Sequence, residues 1–468
     1  MDSQVCLKSA LCAVFAGVLS CVPLYAQNDT WGSFLRVLPA RVLAEDAGIN
    51  TSLYILKQTH EPLFRIDDGE NYTSRLLTRW QRSIDSSSYV FCPDTSLSFV
   101  NGEKFSLQFF TTYISKVSGA FSAGRDISSD GNCVKVRFDR GRKDFLKYLA
   151  QYEQSPAVKI NERVEAGLGP FDVATISESE IRLNRKKPVN RGYNAILIHR
   201  YSGKEAADAP NRGISDFNKI PEAEVPEFVK KEYLHFDAVT LKTIVLVINW
   251  PEKSIRDVLY NCIDIDTFRR VYYPAQNEFV SISGVLPAGV PGAIAGRPAQ
   301  KCVIPADFKK PGVPLVFVNL SSTNDTGLGL FFADLYARTG IKVSVEKIKD
   351  KDIMRDLFKF PRKYNLSVVA MDAVRPDHSA FFDYLVKKDG FFDVQMPELS
   401  KVYQKLLDSG DSSQTAALGR ELSILVEAEH IALPLLQVQR RFYYPRKIKN
   451  LMAGRGFLEY PEIADFRW

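Results

Sequence analysis

Along most of the chain, segments dense in β-branched and aromatic residues are followed by segments whose apolar residues recur at helical spacing. Residues 90–99 (VFCPDTSLSF), 195–200 (AILIHR) and 241–249 (LKTIVLVIN) have the composition of strands. Residues 331–339 (FFADLYART) follow a helical period, and Gly340 stands where a C-cap glycine is expected. Residues 341–348 (IKVSVEKI) then alternate as a strand does. Residues 397–407 and 413–429 predict amphipathic helices, with Asp411 or Ser412 placed to cap the second, and residues 433–444 predict a further strand. Such mixing implies an α/β chain whose helices cover sheets. Residues 200–232, with Gly203, Pro210, Gly213, Pro221 and Pro226, form the most loop-like internal stretch. They precede the most apolar strand pattern, which places a boundary between packed units near residue 238.

The N-terminus has a different pattern. Lys8 precedes an apolar stretch at 9–26 (SALCAVFAGVLSCVPLYA), and the chain turns polar at Gln27, Asn28 and Asp29. A charged start, an apolar middle and a small-residue end are the parts of a secretory signal peptide. The apolar core is shorter than the ~20 residues a spanning helix needs, so removal on export is expected. Two cleavage points compete. Cutting after Ala26 releases a soluble protein, whereas Val18-Leu19-Ser20-Cys21 is a poor lipobox that would leave Cys21 acylated. Leucine at the second position of that box is atypical, which favours the soluble product. No later segment is long and apolar enough to span a membrane.

The chain has 468 residues, 45% hydrophobic and 25% charged, enough for two or three packed units of an ordinary soluble protein. Its net charge of +6 comes from 61 basic and 55 acidic residues scattered throughout, which is not a nucleic-acid footprint. The basic runs 182–187 and 440–449 lie outside any recognisable RNA or DNA module and are taken as solvated faces. Cys6, Cys12 and Cys21 fall in the leader. Cys92 with Cys133 and Cys262 with Cys302 are candidate disulfides in an exported chain, and free buried thiols remain an equal alternative. The spacings are too wide for a CxxC metal site.

A catalytic site would change this picture, and the sequence offers none. GxSxG, Walker, HExxH and GxGxxG patterns are absent, and His60, His199, His235, His378 and His430 are not spaced as metal ligands on one helix face. Asp377 and His378 are adjacent, and are taken as a polar pair in a loop. The expectation is a binder rather than an enzyme, with no cofactor and no metal.

Glu61-Pro62-Leu63-Phe64-Arg65, then Leu76, Leu77 and Trp80, then Tyr89-Val90-Phe91, and 99–105 (FVNGEKF) follow one another along the chain. In order and register they resemble the opening of family 5 extracellular solute-binding proteins, the dipeptide, oligopeptide and nickel binders. Gly167-Leu168-Gly169-Pro170-Phe171 resembles the family's GTGPY. Asn249-Trp250-Pro251, Arg256, Cys262-Ile263-Asp264 and Phe268 resemble the next region, 286–292 (LPAGVPG) the loop after it, and 339–343 and 431–435 (IALPL) its last parts. The likeness covers roughly residues 45–455. Where the family has T.eDV, this chain has 106–110 (SLQFF).

The resemblance implies two α/β lobes joined by crossing strands, the class II periplasmic-binding-protein-like fold, with an extra subdomain on the first lobe and a ligand enclosed by hinge closure. It divides the chain into a first lobe (28–45, 155–237 and 450–468), a subdomain on it (46–154) and a second lobe (238–449), after a leader at 1–26. In peptide-binding relatives a D..[DE]P stretch supplies an aspartate to the ligand's α-ammonium. Here 371–376 (MDAVRP) keeps Asp372 and Pro376 at that spacing, and Arg375 replaces the acidic residue. A buried ammonium needs a carboxylate, so Asp372 is the first ligand-contact candidate. Arg375 either neutralises Asp372 or holds a ligand carboxylate with its bidentate fork. Trp250 and Tyr113 are further ligand-binding candidates, with a core role as the alternative for each. The implied protein is a periplasmic, monomeric carrier that delivers a short peptide to permease subunits of an ABC transporter in the inner membrane and binds no nucleic acid. The alternatives are a binder of nickel, heme or oligosaccharide, and a sensor or interaction protein that keeps the fold without transport.

Overall fold

A computed structural model describes residues 29–35, 37–48, 50–66, 71–120, 125–202, 213–220, 224–273, 279–294, 296, 301–320, 324–348, 363–372, 379–386, 392, 396–409, 412–451 and 461–468. The leader with both cleavage points, and Arg375, Asp377, His378 and Asp411, lie outside these residues.

In the first lobe a five-stranded sheet has the order Phe171–Ile176, Glu180–Arg185, Ala195–Arg200, Thr30–Leu35, Ile214–Asp216. The first three strands form an antiparallel meander, and the last three run parallel to one another. The helix Asn50–Thr59 packs Leu53, Tyr54, Ile55 and Leu56 into the core beneath it, beside Trp31, Ile196, Ile198, Phe171 and Phe466. The strand Ile214–Asp216 and the helix Glu227–Glu232 lie inside the stretch that reads as loop in the sequence. Three residues carry too little periodicity to register as a strand, and this one is defined by its distant partner, Thr30–Leu35.

The subdomain has its own antiparallel sheet, ordered Leu77–Arg82, Ser88–Pro93, Cys133–Arg137, Asp126–Asp130, covered by the helices Leu107–Ser118 and Asp144–Leu149. Phe64, Tyr89, Phe91, Phe105, Phe110 and Phe145 fill its core. The strand expected over 90–99 ends at Pro93, because the Asp94 carboxylate accepts the Ser96 N–H at 3.0 Å and turns the chain. Ser106, at the departure from the family pattern, caps its helix by accepting the Phe109 N–H at 3.2 Å. A disulfide joins Cys92 and Cys133 on neighbouring strands.

The GLGPF loop has a packing reason. A Cβ on Gly169 would lie 2.4 Å from the Thr59 carbonyl carbon, and one on Gly167 would lie 2.7 Å from His60 Cα. Only glycine lets this loop press on the backbone that ends the helix Asn50–Thr59. Just beyond it, Glu61 and Arg65 of EPLFR form an ion pair, and Arg65 also reaches Glu462 near the C-terminus. These motif residues hold the subdomain, the first lobe and the chain end together.

The second lobe is built on a six-stranded sheet ordered Phe279–Val280, Ala432–Tyr444, Leu234–Ile248, Leu366–Asp372, Leu315–Asn319, Val343–Lys347. One face packs on the helices Lys253–Cys262, Ile265–Tyr272 and Asp325–Thr339, the other on Ala380–Val386, Pro397–Asp408 and Ser412–Ala428. The helix predicted over 331–339 begins at Asp325, where Asn324 accepts the Gly327 N–H at 2.9 Å. Gly327 and Gly329 lower the propensity of its first turns and hide them from the sequence pattern. Gly340 ends it in the left-handed region, at φ 70°. The guanidinium of Arg256, almost fully buried, donates to the carbonyls of Trp250, Pro251 and Glu429 and to the Glu429 carboxylate. Cys262 is bonded to Cys302.

Two long antiparallel strands, Leu234–Ile248 and Ala432–Tyr444, join the lobes. Leu234–Val239 pairs with Tyr444–Gln439 against the first core, and Thr243–Val247 pairs with Gln437–Ala432 inside the second. The register shifts between Val239 and Thr243, where the ribbon passes from one lobe to the other. Residue 238, the expected boundary, lies within the first of these crossing strands.

Candidate functional site

In open sheets with parallel strands, ligands gather outside the carboxyl ends of those strands. In the first lobe these ends are Leu35, Arg200 and Asp216. In the second lobe, where Leu315–Asn319 runs parallel to Val343–Lys347 and to Leu366–Asp372, they are Asn319, Lys347 and Asp372.

Both sets of ends point at the crossing. On the second-lobe side Asp372 pairs with Lys242, next to the register shift. On the first-lobe side the chain leaving Asp216 advances along the second crossing strand toward the same place. The Asn218 amide accepts the Tyr443 N–H at 2.7 Å and donates to the Tyr443 carbonyl at 3.0 Å. Two residues on, the Ile220 carbonyl accepts from Arg440 Nη2 at 2.9 Å.

Buried polar groups hold the crossing itself. Gln437, fully buried, donates from Nε2 to the Thr240 carbonyl at 2.7 Å and accepts the Ala288 N–H at Oε1 at 2.8 Å. Thr240 Oγ1 donates to the Val438 carbonyl at 3.0 Å and Thr243 Oγ1 to the Val285 carbonyl at 2.9 Å. Ala288 of the loop 286–292, and Val285 just before it, are thereby tied to the two crossing strands. These bonds fix where the ribbon can bend, because breaking one would strand a buried carbonyl or N–H.

The first lobe places a buried carboxylate, Asp216, at the end of its strand. Tyr54 Oη donates to Asp216 Oδ2 at 2.7 Å and receives Trp31 Nε1 at 3.0 Å, while the Asn218 N–H donates to Oδ1 at 2.8 Å. Burial, then the neighbouring carboxylate, holds the Tyr54 phenol far above its usual range, so it stays a donor. Across the crossing, Asn319 Nδ2 donates to Asp325 Oδ1 at 2.5 Å, and Lys347 lies 3.3 Å from Asp325 Oδ2. Sequence reasoning missed Asp216 and Asn319. Ser215-Asp216-Phe217-Asn218 is an unremarkable tetrapeptide until its neighbours are known.

Of the four sequence-derived candidates, the backbone of Asp372 ends a parallel strand at the crossing. Arg375 lies outside the described residues. Trp250 follows the far end of the first crossing strand, on the order of 25 Å along the chain from Lys242. It is half-buried against the second core, and its carbonyl serves Arg256. Tyr113 is buried in the subdomain, and its hydroxyl donates to the Gln154 carbonyl at 2.7 Å. Its ring lines a cavity of about 290 Å3 between the subdomain helix and the first lobe, with Glu45, Lys116, Ser155 and Glu165. Trp250, Tyr113 and Asp372 thus sit in three separate places. Among the described residues no cluster of three or more His, Cys, Asp or Glu could hold a metal ion, and no helix is long and apolar enough to cross a membrane.

No protein-family model matches the chain, and no curated protein matches its sequence. Solved structures do match its fold. The periplasmic binding protein DppA from Helicobacter pylori, in complex with the peptide STSA, superposes with a TM-score of 0.75 at 14% identity, over 94% of this chain and 98% of that one. AgaA from A. tumefaciens R10, in complex with agropinic acid, gives 0.76 at 12% identity, over 94% and 98%. NikA from Staphylococcus aureus, in complex with Ni(L-His)2, gives 0.70 at 12% identity, over 92% and 97%. The chain therefore has the two-lobed periplasmic-binding-protein fold expected from the resemblance.

Proposed function

We propose that the chain is the solute-binding component of an ABC importer, exported to the periplasm, which encloses a short peptide at the crossing and presents it to a membrane permease. The observation that carries this reading is the convergence of both lobes' parallel strand ends on one bulged, polar ribbon, with Asp372 ending the second-lobe strand at that point. A site between hinged lobes excludes water from its guest. There one carboxylate fixes an α-ammonium strongly, because the ammonium could not otherwise remain charged. Main-chain hydrogen bonds would hold the rest of the peptide and leave side-chain preference loose. Asp216 is already satisfied by Tyr54 and Asn218, so it serves as a buried strut of the first lobe rather than as a second ligand carboxylate.

Calorimetry on the monomeric protein lacking residues 1–26 tests the proposal, using pools of di- to pentapeptides beside nickel, heme and oligosaccharides. Peptides should bind and raise the unfolding midpoint in proportion to the logarithm of their concentration. Asp372→Asn should weaken binding at least tenfold, about 1.4 kcal/mol, and N-acetylation of the peptide should do the same to the native protein. No response to any peptide pool would overturn the reading, and a response to nickel or heme alone would replace the peptide with that ligand.

A further inference from the structure

The second lobe carries a surface that ligand enclosure at the crossing does not use. Residues 301–314 run as an exposed strap without regular secondary structure. Three attachments hold it to the second lobe, two of them beside the C-terminal end of the helix Asp325–Thr339. Cys302 is bonded to Cys262, whose carbonyl accepts from Arg338 Nη1 at 2.8 Å. Phe308 packs against the core, and the Leu315 N–H donates to the Lys342 carbonyl at 2.9 Å. The strap therefore crosses the helix's C-terminal end and finishes beside Lys342.

Its composition is unusual for a solvated connection. Val303, Ile304 and Val313 are 58%, 36% and 61% exposed, while Phe308 between them packs against the core. Around them stand Lys301, Lys309 and Lys342, all exposed and, among the described residues, without an ion-pair partner. The ammonium of Lys310 lies against Gly340 at the helix end, a favourable place for a cation. Asp307 is the one carboxylate in the strap.

We propose that this strap, with Lys342, docks the protein on an anionic lipid bilayer. Lysines on long stems around short branched aliphatics need no shape-matched partner. Their cations meet lipid phosphates while the aliphatics enter the headgroup boundary, and each lysine near an anionic surface adds to the attraction. A protein partner would call for a pocket or an aromatic anchor, and the exposed apolar residues of the strap are small aliphatics. The inference stands independently of the peptide reading, since it uses no residue of the crossing.

Sedimentation with vesicles of phosphatidylcholine, alone or mixed with phosphatidylglycerol, tests it on the full mature chain. The native protein should pellet with the phosphatidylglycerol vesicles only, and release as salt rises. Lys301→Glu/Lys309→Glu/Lys342→Glu should reduce binding at least tenfold, whereas Lys104→Glu/Lys187→Glu/Arg191→Glu, the same charge change elsewhere, should leave it within twofold. Val303→Ser/Ile304→Ser, which keeps every charge, should weaken it several-fold. All substituted residues are exposed, and matching unfolding midpoints verify intact folds. Absence of binding to phosphatidylglycerol, equal loss in both charge variants, or capture by an acidic polypeptide but not by vesicles would overturn the proposal.

Discussion

His60 is fully buried beside the GLGPF loop, with Nδ1 2.9 Å from Thr59 Oγ1 and Nε2 without a hydrogen-bond partner among the described residues. Burial, with Lys186 adding to it, lowers its pKa to about 3, so the imidazole is neutral in the folded protein. Between pH 6.5 and 3 the unfolded chain takes up a proton there that the folded one refuses. The stabilising contribution is therefore complete above pH 6.5 and falls with pH, by up to about 1.4 kcal/mol per unit. His60→Leu should flatten the decline of the unfolding midpoint between pH 6.5 and 4, and an undiminished slope would mean that other groups cause it. At Gly169 the neighbours are backbone atoms that cannot swing aside. Gly169→Ala should cost about 1–3 kcal/mol in denaturant unfolding, more than an alanine at the open Gly329.

At the level of elements, Gln437 ties the crossing ribbon together and to the loop 286–292 through two hydrogen bonds of its buried side chain. Gln437→Leu keeps the volume but leaves the Thr240 carbonyl and the Ala288 N–H unpaired, at about 1–3 kcal/mol each. Chemical unfolding should report that loss, while hydrogen exchange should rise first at residues 240–243 and 286–290. Retained protection there would place the bend elsewhere. The subdomain sheet is braced differently. The Cys92–Cys133 bridge spans a sequence separation of 41, for which loop-closure entropy gives about 4 kcal/mol. Cys92→Ser/Cys133→Ser should lower the subdomain's stability by that order with little effect on the second lobe, as limited proteolysis would resolve.

For the whole molecule, two cores joined by a two-stranded ribbon make rigid-body rotation the cheapest large motion, because packed interiors resist gradual deformation. If peptide is enclosed at the crossing, X-ray scattering should record a smaller radius of gyration with ligand than without, and Asp372→Asn should need correspondingly more peptide to reach it. The fold's outline was legible in the sequence. Strands at 195–200 and 433–444 and helices at 397–407 and 413–429 appear within a residue or so of their predicted ends, since each buries one strongly patterned face. The site was less so. Asp372, the proposed ligand carboxylate, came from the resemblance and its spacing to Pro376, whereas Asp216, Asn319 and Gln437 have no local signature. Trp250, singled out as an aromatic near a strand, packs against the second core, away from the crossing.

Local pattern and chain-order motifs determined the α/β class and marked the apolar N-terminal stretch as a candidate leader and the two cysteine pairs as candidate disulfides. Hydrophobic period and turn chemistry act over a few residues and are written in the residues themselves. Which cysteines bond, why GLGPF needs its glycines, where one lobe passes into the other and which strand ends face each other were decided only in three dimensions. Each depends on atoms from segments up to several hundred residues apart, such as Asn218 with Tyr443 or Arg256 with Glu429. The energy of such a contact belongs to the pair, and neither partner's sequence neighbourhood contains it.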